Sequence, residues 1–225
     1  MKIDILTLFP EMFEPLKASI LGKAQNNKVI KINLINIRDF SKDKHKKCDD
    51  YTFGGGNGML MTPQPIYDAI TSIRGYKKAH KIYMSPKGAL FSQKKAKELS
   101  QKDHIIILCG HYEGIDERII DLLIDEEISI GDYVLTGGEI PAMAVVDSLS
   151  RYVDGVLGDI NSTEDESFSS GLLEYPQYTR PQEFKGLKVP DVLVSGDHQK
   201  VDAWRREQSL RITKERRPDL FGEGR

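Results

Sequence analysis

Five short apolar runs, each followed by a stretch with helical periodicity, occupy the first two-thirds of this chain. The runs are KIDILTLF (Lys2 to Phe9), VIKINLINI (Val29 to Ile37), KIYMS (Lys81 to Ser85), HIIILCG (His104 to Gly110) and EISI (Glu127 to Ile130). The stretches after them are EMFEPLKASILGKA, PQPIYDAITSI, SQKKAKELS, EGIDERIIDLLI and EIPAMAVVDSLSRYV. Runs of four to nine residues rich in β-branched side chains read as strands, and longer stretches with apolar positions three and four apart read as helices. Strict alternation of the two predicts an α/β fold, with a mostly parallel sheet and helices on both faces.

The pattern breaks after Gly158. DINSTEDESFSSG is polar and acidic with no period, and residues 161–171 read as a flexible interdomain linker. From Leu172 the chain is rich in loops and proline until a helix expected from His198 to Arg217, with Pro218 as its stop. Residues 1–160 are therefore expected as one domain and residues 172–225 as a smaller helical C-terminal one. A chain of 225 residues buries roughly 70% of its unfolded surface. It needs neither disulfide nor structural metal. Cys48 and Cys109 stand apart, with no CxxC or Cys/His cluster, as suits a reducing cytosol. Asp4 and Pro10 interrupt the N-terminal apolar run, and no segment approaches the ~20 apolar residues of a membrane span. A cytoplasmic protein without membrane or metal sites is expected.

The net charge of −2 does not announce a nucleic-acid partner, but its distribution does more. WRREQSLRITKERR, Trp204 to Arg217, carries six basic residues against two acidic ones, and KDKHKK at Lys42 to Lys47 is a second basic run. Acidic residues gather from Glu113 to Glu127. Such segregation makes a locally positive surface able to attract phosphates; either run could equally be a solvated face.

Glycines cluster where three expected strands end: YMSPKG at Tyr83 to Gly88, LCGHYEG at Leu108 to Gly114, and ISIGDYVLTGGEIPA at Ile128 to Ala142. Ligands of open α/β sheets sit at the carboxyl ends of strands. Three such loops can converge on one ligand, though each alone could be a structural turn. Dinucleotide and nucleoside-triphosphate motifs are excluded, since no GxGxxG follows the first strand and no GxxxxGK[ST] occurs. FGGGNGML (Phe53 to Leu60) follows the polar CDDYT rather than a strand, so it lacks the context of a phosphate loop. GxSxG and HExxH are absent as well.

GGGNGML at Gly54 to Leu60, SPKG at Ser85, CGHYEGIDERI at Cys109, SIGDYVLTGGE at Ser129, LLEYPQYTRP at Leu172 and WRREQSLRITKERRPDL at Trp204 resemble, end to end, the bacterial tRNA (guanine-N1)-methyltransferase family. The resemblance implies methylation of the guanine immediately 3′ of the anticodon. It also implies the SPOUT class, with a trefoil knot holding S-adenosylmethionine and an active site shared across a homodimer. Periodicity gives no hint of a knot, since true knots are nearly absent among folds. By the same resemblance, Tyr83, Met84, Ser85, Pro86, Gly110, Glu113, Gly114, Ile130, Gly131, Tyr133, Leu135, Gly137, Gly138 and Pro141 belong to the cofactor loops. Cofactor approach and tight chain crossing both favour glycine there, and sequence does not separate them.

Methylating guanine N1 requires a base to remove its proton. The family's linker aspartate aligns with Glu166, with Asp165 just before it; either acid can serve. Arg151 matches the family's arginine beside the target base, where its charge would stabilise developing negative charge on O6; it also shares a helix face with Asp147. For tRNA, Arg205, Arg206, Arg211, Lys214, Arg216 and Arg217 are candidate phosphate contacts, and Asp50 a candidate reader of a guanine edge. Tyr51, Thr52, Phe53 and Asn57 depart from the family's pattern beside Asp50. The family's magnesium dependence finds no ligand cluster in this sequence. A different SPOUT methyltransferase and a non-catalytic RNA-binding factor are the rival expectations.

Overall fold

The first strand, β1 (Lys2–Thr7), leads not into one helix but into a 3-10 helix (Pro10–Lys17) and then α1 (Ser19–Asn26). Pro15 lies inside the first piece and Ala18 between them is extended, because proline offers no amide donor to continue a helix. The remaining pairs follow the expected order: β2 (Lys31–Asn36), a β-hairpin of β3 (Asp49–Tyr51) and β4 (Met59–Met61), α2 (Pro63–Ser72), β5 (His80–Leu90), α3 (Gln93–Leu99), β6 (His104–Cys109), α4 (Glu117–Leu123), β7 (Glu126–Ser129) and α5 (Glu139–Ser150). This computed structural model describes residues 1–157 and 166–222. The chain divides into two units, Met1–Gly158 and Asp159–Arg225.

The main sheet of the first unit has the order β2-β1-β6-β5-β7, and each neighbouring pair is parallel. Alternation along β6 divides the core between its two faces. Ile105, Ile107 and Cys109 join Ile3, Ile5, Ile82 and the α5 residues Ala142, Val145 and Leu149 on one side. Ile106 and Leu108 join Leu6 and the α2 residues Ile66, Ala69 and Ile70 on the other. Each large aliphatic side chain buried this way stabilises by about 1.5–3 kcal/mol.

The hairpin corrects one expectation. Asp49 to Tyr51 do form a strand, paired antiparallel so that Asp49 faces Met61, and Gly54, Gly55, Gly56 and Gly58 reverse the chain with positive φ angles. The two polar aspartates masked the strand, whose anchor is the buried Cys48 just before it. α2 then starts directly at Pro63, where a missing amide costs nothing.

In the second unit, β8 (Glu183–Phe184) and β9 (Leu187–Lys188) form a small hairpin, followed by α6 (Asp191–Val194) and α7 (His198–Arg216). Asp197 caps α7 by accepting from the Lys200 amide at 3.2 Å. The expected linker lies partly outside the described residues. Its described part, 166–171, forms a turn: the Ser169 amide donates to the Glu166 carbonyl and the Phe168 amide to the Leu172 carbonyl. Among the described residues, no helix is long and apolar enough to cross a membrane.

Candidate active site

β6 and β7 end on the same edge of the sheet, where β5 runs on to Leu90 through an irregularity between Met84 and Ala89. The first expected loop, Tyr83 to Gly88, is instead part of a strand that meets the loops after β6 and β7. They enclose a cleft of about 280 Å³, and all fourteen residues expected in the cofactor loops line it, from Tyr83 and Met84 through Gly110 and Glu113 to Gly138 and Pro141. Ile130, Leu135 and Pro141 give it apolar walls, while Gly110, Gly114 and Gly137 leave backbone bare. The hairpin closes one side: the Glu113 amide donates to the Met59 carbonyl and the Met61 amide to the Gly114 carbonyl, both at 3.0 Å.

The geometry accounts for three of these glycines by what a side chain there would meet. A Cβ on Gly88 would overlap the peptide joining Glu127 to Ile128, and one on Gly138 would lie 2.8 Å from Cys109 Cα. These two glycines let chain cross chain. A Cβ on Gly137 would instead overlap Glu139 Oε2 and lie 2.6 Å from His111 Nδ1.

Two groups in this region are unsuited to proton transfer or attack at neutral pH. Burial, reinforced by the nearby Glu127 carboxylate, pushes the Tyr83 phenol up to about 12. Burial likewise raises the Cys109 thiol well above its ordinary value, with Glu139 adding to it, so Cys109 is a neutral core residue rather than a nucleophile.

Arg151 does not line this cleft. It ends α5 and borders a separate small depression with Ile20, Asp147 and Ser150, so the predicted shared face of Asp147 and Arg151 exists but looks elsewhere. Glu166 opens the described part of the second unit and is half-buried, whereas Asp165 lies outside the described residues. Asp50 is exposed on β3, its carboxylate accepting from the Tyr51 amide at 2.9 Å.

The six basic residues near the C-terminus divide by environment. Arg205 stacks over Tyr175 at 4.9 Å, and Arg217 lies over Phe168 while forming a two-pronged pair with Asp219 at 2.9 and 2.7 Å. Arg211 is held by Gln208 and Glu215. Arg206, Lys214 and Arg216 are exposed. Trp204 packs against Tyr178, ring centres 6.3 Å apart, and the Thr213 hydroxyl accepts from the Leu173 amide at 2.8 Å, fastening the LLEYP segment to α7.

A family model described as tRNA (Guanine-1)-methyltransferase TrmD matches residues 1–223. The chain belongs to the TrmD family. Among its relatives, a tRNA (guanine-N(1)-)-methyltransferase of Ruminiclostridium cellulolyticum is 59% identical over 224 residues, covering 98% of this chain and 96% of that protein. Proteins of the same name from Alkaliphilus metalliredigens and Carboxydothermus hydrogenoformans are each 60% identical, covering 98% of this chain and 92% and 87% of theirs.

For this TrmD family member, sequence reasoning passed over a polar group beneath the cleft. Glu139 is 1% exposed and begins α5, where the helix N-terminus favours its charge. Thr7 Oγ1 donates to its Oε1 at 2.8 Å. His111 Nδ1 stands 4.0 Å from its Oε2 and has no hydrogen-bond partner among the described residues. Leaving such an atom unmet costs about 1–3 kcal/mol. Only spacing hinted at it: His111 follows Gly110 in a loop and Glu139 follows the double glycine as the first residue of the expected helix, both positions where a solvent-facing polar residue is the ordinary expectation.

Proposed function

We propose that this chain transfers a methyl group from S-adenosylmethionine to N1 of the guanine immediately 3′ of the anticodon of tRNA, acting as a cytoplasmic homodimer. One observation carries the proposal: the three loops singled out in sequence meet around one cleft in a chain that belongs to a tRNA methyltransferase family. The cleft approaches the ~300 Å³ lower bound of small-molecule sites. Its combination of bare backbone and apolar walls suits an adenosine, whose edge takes hydrogen bonds and whose faces take Ile130 and Leu135. The chain crossings at Gly88 and Gly138 support a SPOUT-type knot around these loops.

When bound, the sulfonium cofactor supplies an electrophilic methyl group. The chain's own residues prepare the acceptor. Glu166, or Asp165 beside it, takes the N1 proton so that the ring nitrogen's lone pair becomes nucleophilic. Arg151 holds the negative charge that then spreads to O6. Arg151 lies outside the cleft of its own chain, which supports an active site completed by a second copy. The first unit is thus the cofactor-binding methyltransferase domain, and the second the tRNA-binding one. Its exposed Arg206, Lys214 and Arg216, together with Arg205, Arg211 and Arg217, position the phosphate backbone, and Asp50 reads a guanine edge.

The test mixes purified protein, S-adenosylmethionine and tRNA transcripts that carry or lack a guanine after the anticodon. N1 methylation blocks the Watson–Crick edge, so a reverse-transcription stop is expected at that position only where the guanine is present. Unmodified guanine-bearing transcripts would refute the proposal.

A further inference from the structure

The buried Nδ1 of His111 faces the buried Glu139 side chain beneath the cleft without meeting it. Glu139 Oε1 is satisfied by Thr7, but its Oε2 lies 4.0 Å from His111 Nδ1, beyond hydrogen-bond length. Among the described residues Nδ1 has no other partner. The gap is maintained on three sides. Gly137 is the only kind of residue that leaves it open, since a Cβ would fill it. Thr7 Oγ1, which also accepts from the Phe9 amide at 2.9 Å, fixes the carboxylate to β1. The His111 ring is sandwiched between Phe9, at 4.9 Å, and Tyr112, at 5.0 Å. The two atoms also belong to different walls: His111 sits on the loop after β6, and Glu139 starts α5 just after the loop from β7. Backbone pairing already joins these loops, with His111 bridged to Gly137.

We infer that Glu139 is a positioning residue for the cleft, and that His111 closes onto it through Nδ1 when the cleft is filled. The inference rests on the proposal that the cleft takes S-adenosylmethionine. A shift of roughly 1 Å converts the present separation into a charge-assisted hydrogen bond. It draws the two loops together under the bound molecule. Among the described residues the free protein leaves the buried Nδ1 unpaired, and the bound protein pairs it with the Glu139 carboxylate, so part of the affinity originates in groups beneath the cleft.

The test compares His111→Asn with His111→Leu. These replacements have nearly the same shape and both remove the ring contacts with Phe9 and Tyr112, but only asparagine can donate to Glu139. Calorimetric titration with S-adenosylmethionine should show the asparagine variant binding about tenfold more tightly than the leucine variant. In a Glu139→Met background the difference should vanish, while without ligand the two variants should melt alike. Equal affinity of the two variants overturns the inference, as does a ligand-free melting difference that accounts for the affinity difference. A second measurement avoids substitution: in wild-type protein with 15N-labelled histidine, the ligand should move one imidazole resonance to that of a hydrogen-bonded Nδ1–H, and unchanged histidine resonances on saturation overturn the inference. Wild-type protein that takes up no S-adenosylmethionine instead defeats the proposed ligand itself.

Discussion

The Gly138 amide donates to the Gly110 carbonyl at 2.8 Å, and this bond sets how closely the loops after β6 and β7 approach. The same closeness leaves no room for a side chain: a Cβ on Gly138 would stand 2.8 Å from Cys109 Cα and 3.0 Å from the Gly110 nitrogen. Both neighbours are backbone atoms at the end of the central strand, and no rotamer change relieves the clash. Gly138→Ala is expected to destabilise the fold by about 1–3 kcal/mol and to weaken uptake of S-adenosylmethionine. Thermal melting and calorimetry check this; an alanine variant with unchanged melting temperature would contradict the tight crossing.

At the opposite end of the sheet, Asp4 governs acid stability. Its carboxylate is buried, which opposes ionisation. Contacts from Lys2, Asn33 and His104, each at 2.6 Å, outweigh burial and hold its carboxyl below the ordinary value. A depressed value in the folded state contributes stability above the unfolded pKa of about 3.9; the contribution is lost as pH falls through the folded value. Asp4→Asn should therefore lower stability at neutral pH by about 1–3 kcal/mol, with the gap to wild type narrowing below about pH 4. Denaturant melts across that range check it, and a gap that widens on acidification would reverse the assignment.

Much of this architecture was legible in the chain. The β6 run His104 to Cys109 has no competing helical period, so it read as a buried strand and is one. Its neighbours followed from alternation, and two of the three glycine segments followed from the strand ends, whereas Tyr83 to Gly88 lies inside β5. The missed features are those that local pattern does not encode. Asp49 and Asp50 look like loop residues, and their strand exists because Met59 to Met61 returns beside them. The Thr7–Glu139 contact spans 132 positions and has no local signature. Arg151 read correctly as sharing a face with Asp147, but which cleft that face borders depends on tertiary packing.

Arg151 and Glu166 should separate catalysis from binding. Arg151 does not line the cleft proposed for the cofactor in its own chain, so Arg151→Ala should leave affinity for S-adenosylmethionine close to wild type while lowering methyl transfer by about 100-fold or more. Equal losses in both would assign Arg151 to the fold.

Glu166→Gln keeps shape and hydrogen-bonding capacity but removes the base. The variant should bind tRNA as wild type does and lose turnover by about 100-fold, measured by filter binding and by methyl incorporation. If Glu166→Gln turns over normally and Asp165→Asn does not, the proton passes to Asp165 instead.

The basic residues of α7 should respond to salt according to their partners. Arg206 and Lys214 lie on one side of the helix, exposed and without an ion pair among the described residues. A side chain of this kind contacts phosphate at the expense of condensed counterions alone. Arg217 must first leave Asp219 and the Phe168 ring. Arg206→Ala should therefore weaken tRNA binding, flatten the plot of log affinity against log salt by somewhat under one unit, and leave the melting temperature unchanged. Arg217→Ala should lower melting of the second unit, because it removes the group joining the turn at 166–171 to the end of α7, and should change the salt slope less. Titrations at several salt concentrations, paired with melting curves, check both; a larger slope change for Arg217→Ala than for Arg206→Ala would exchange their roles.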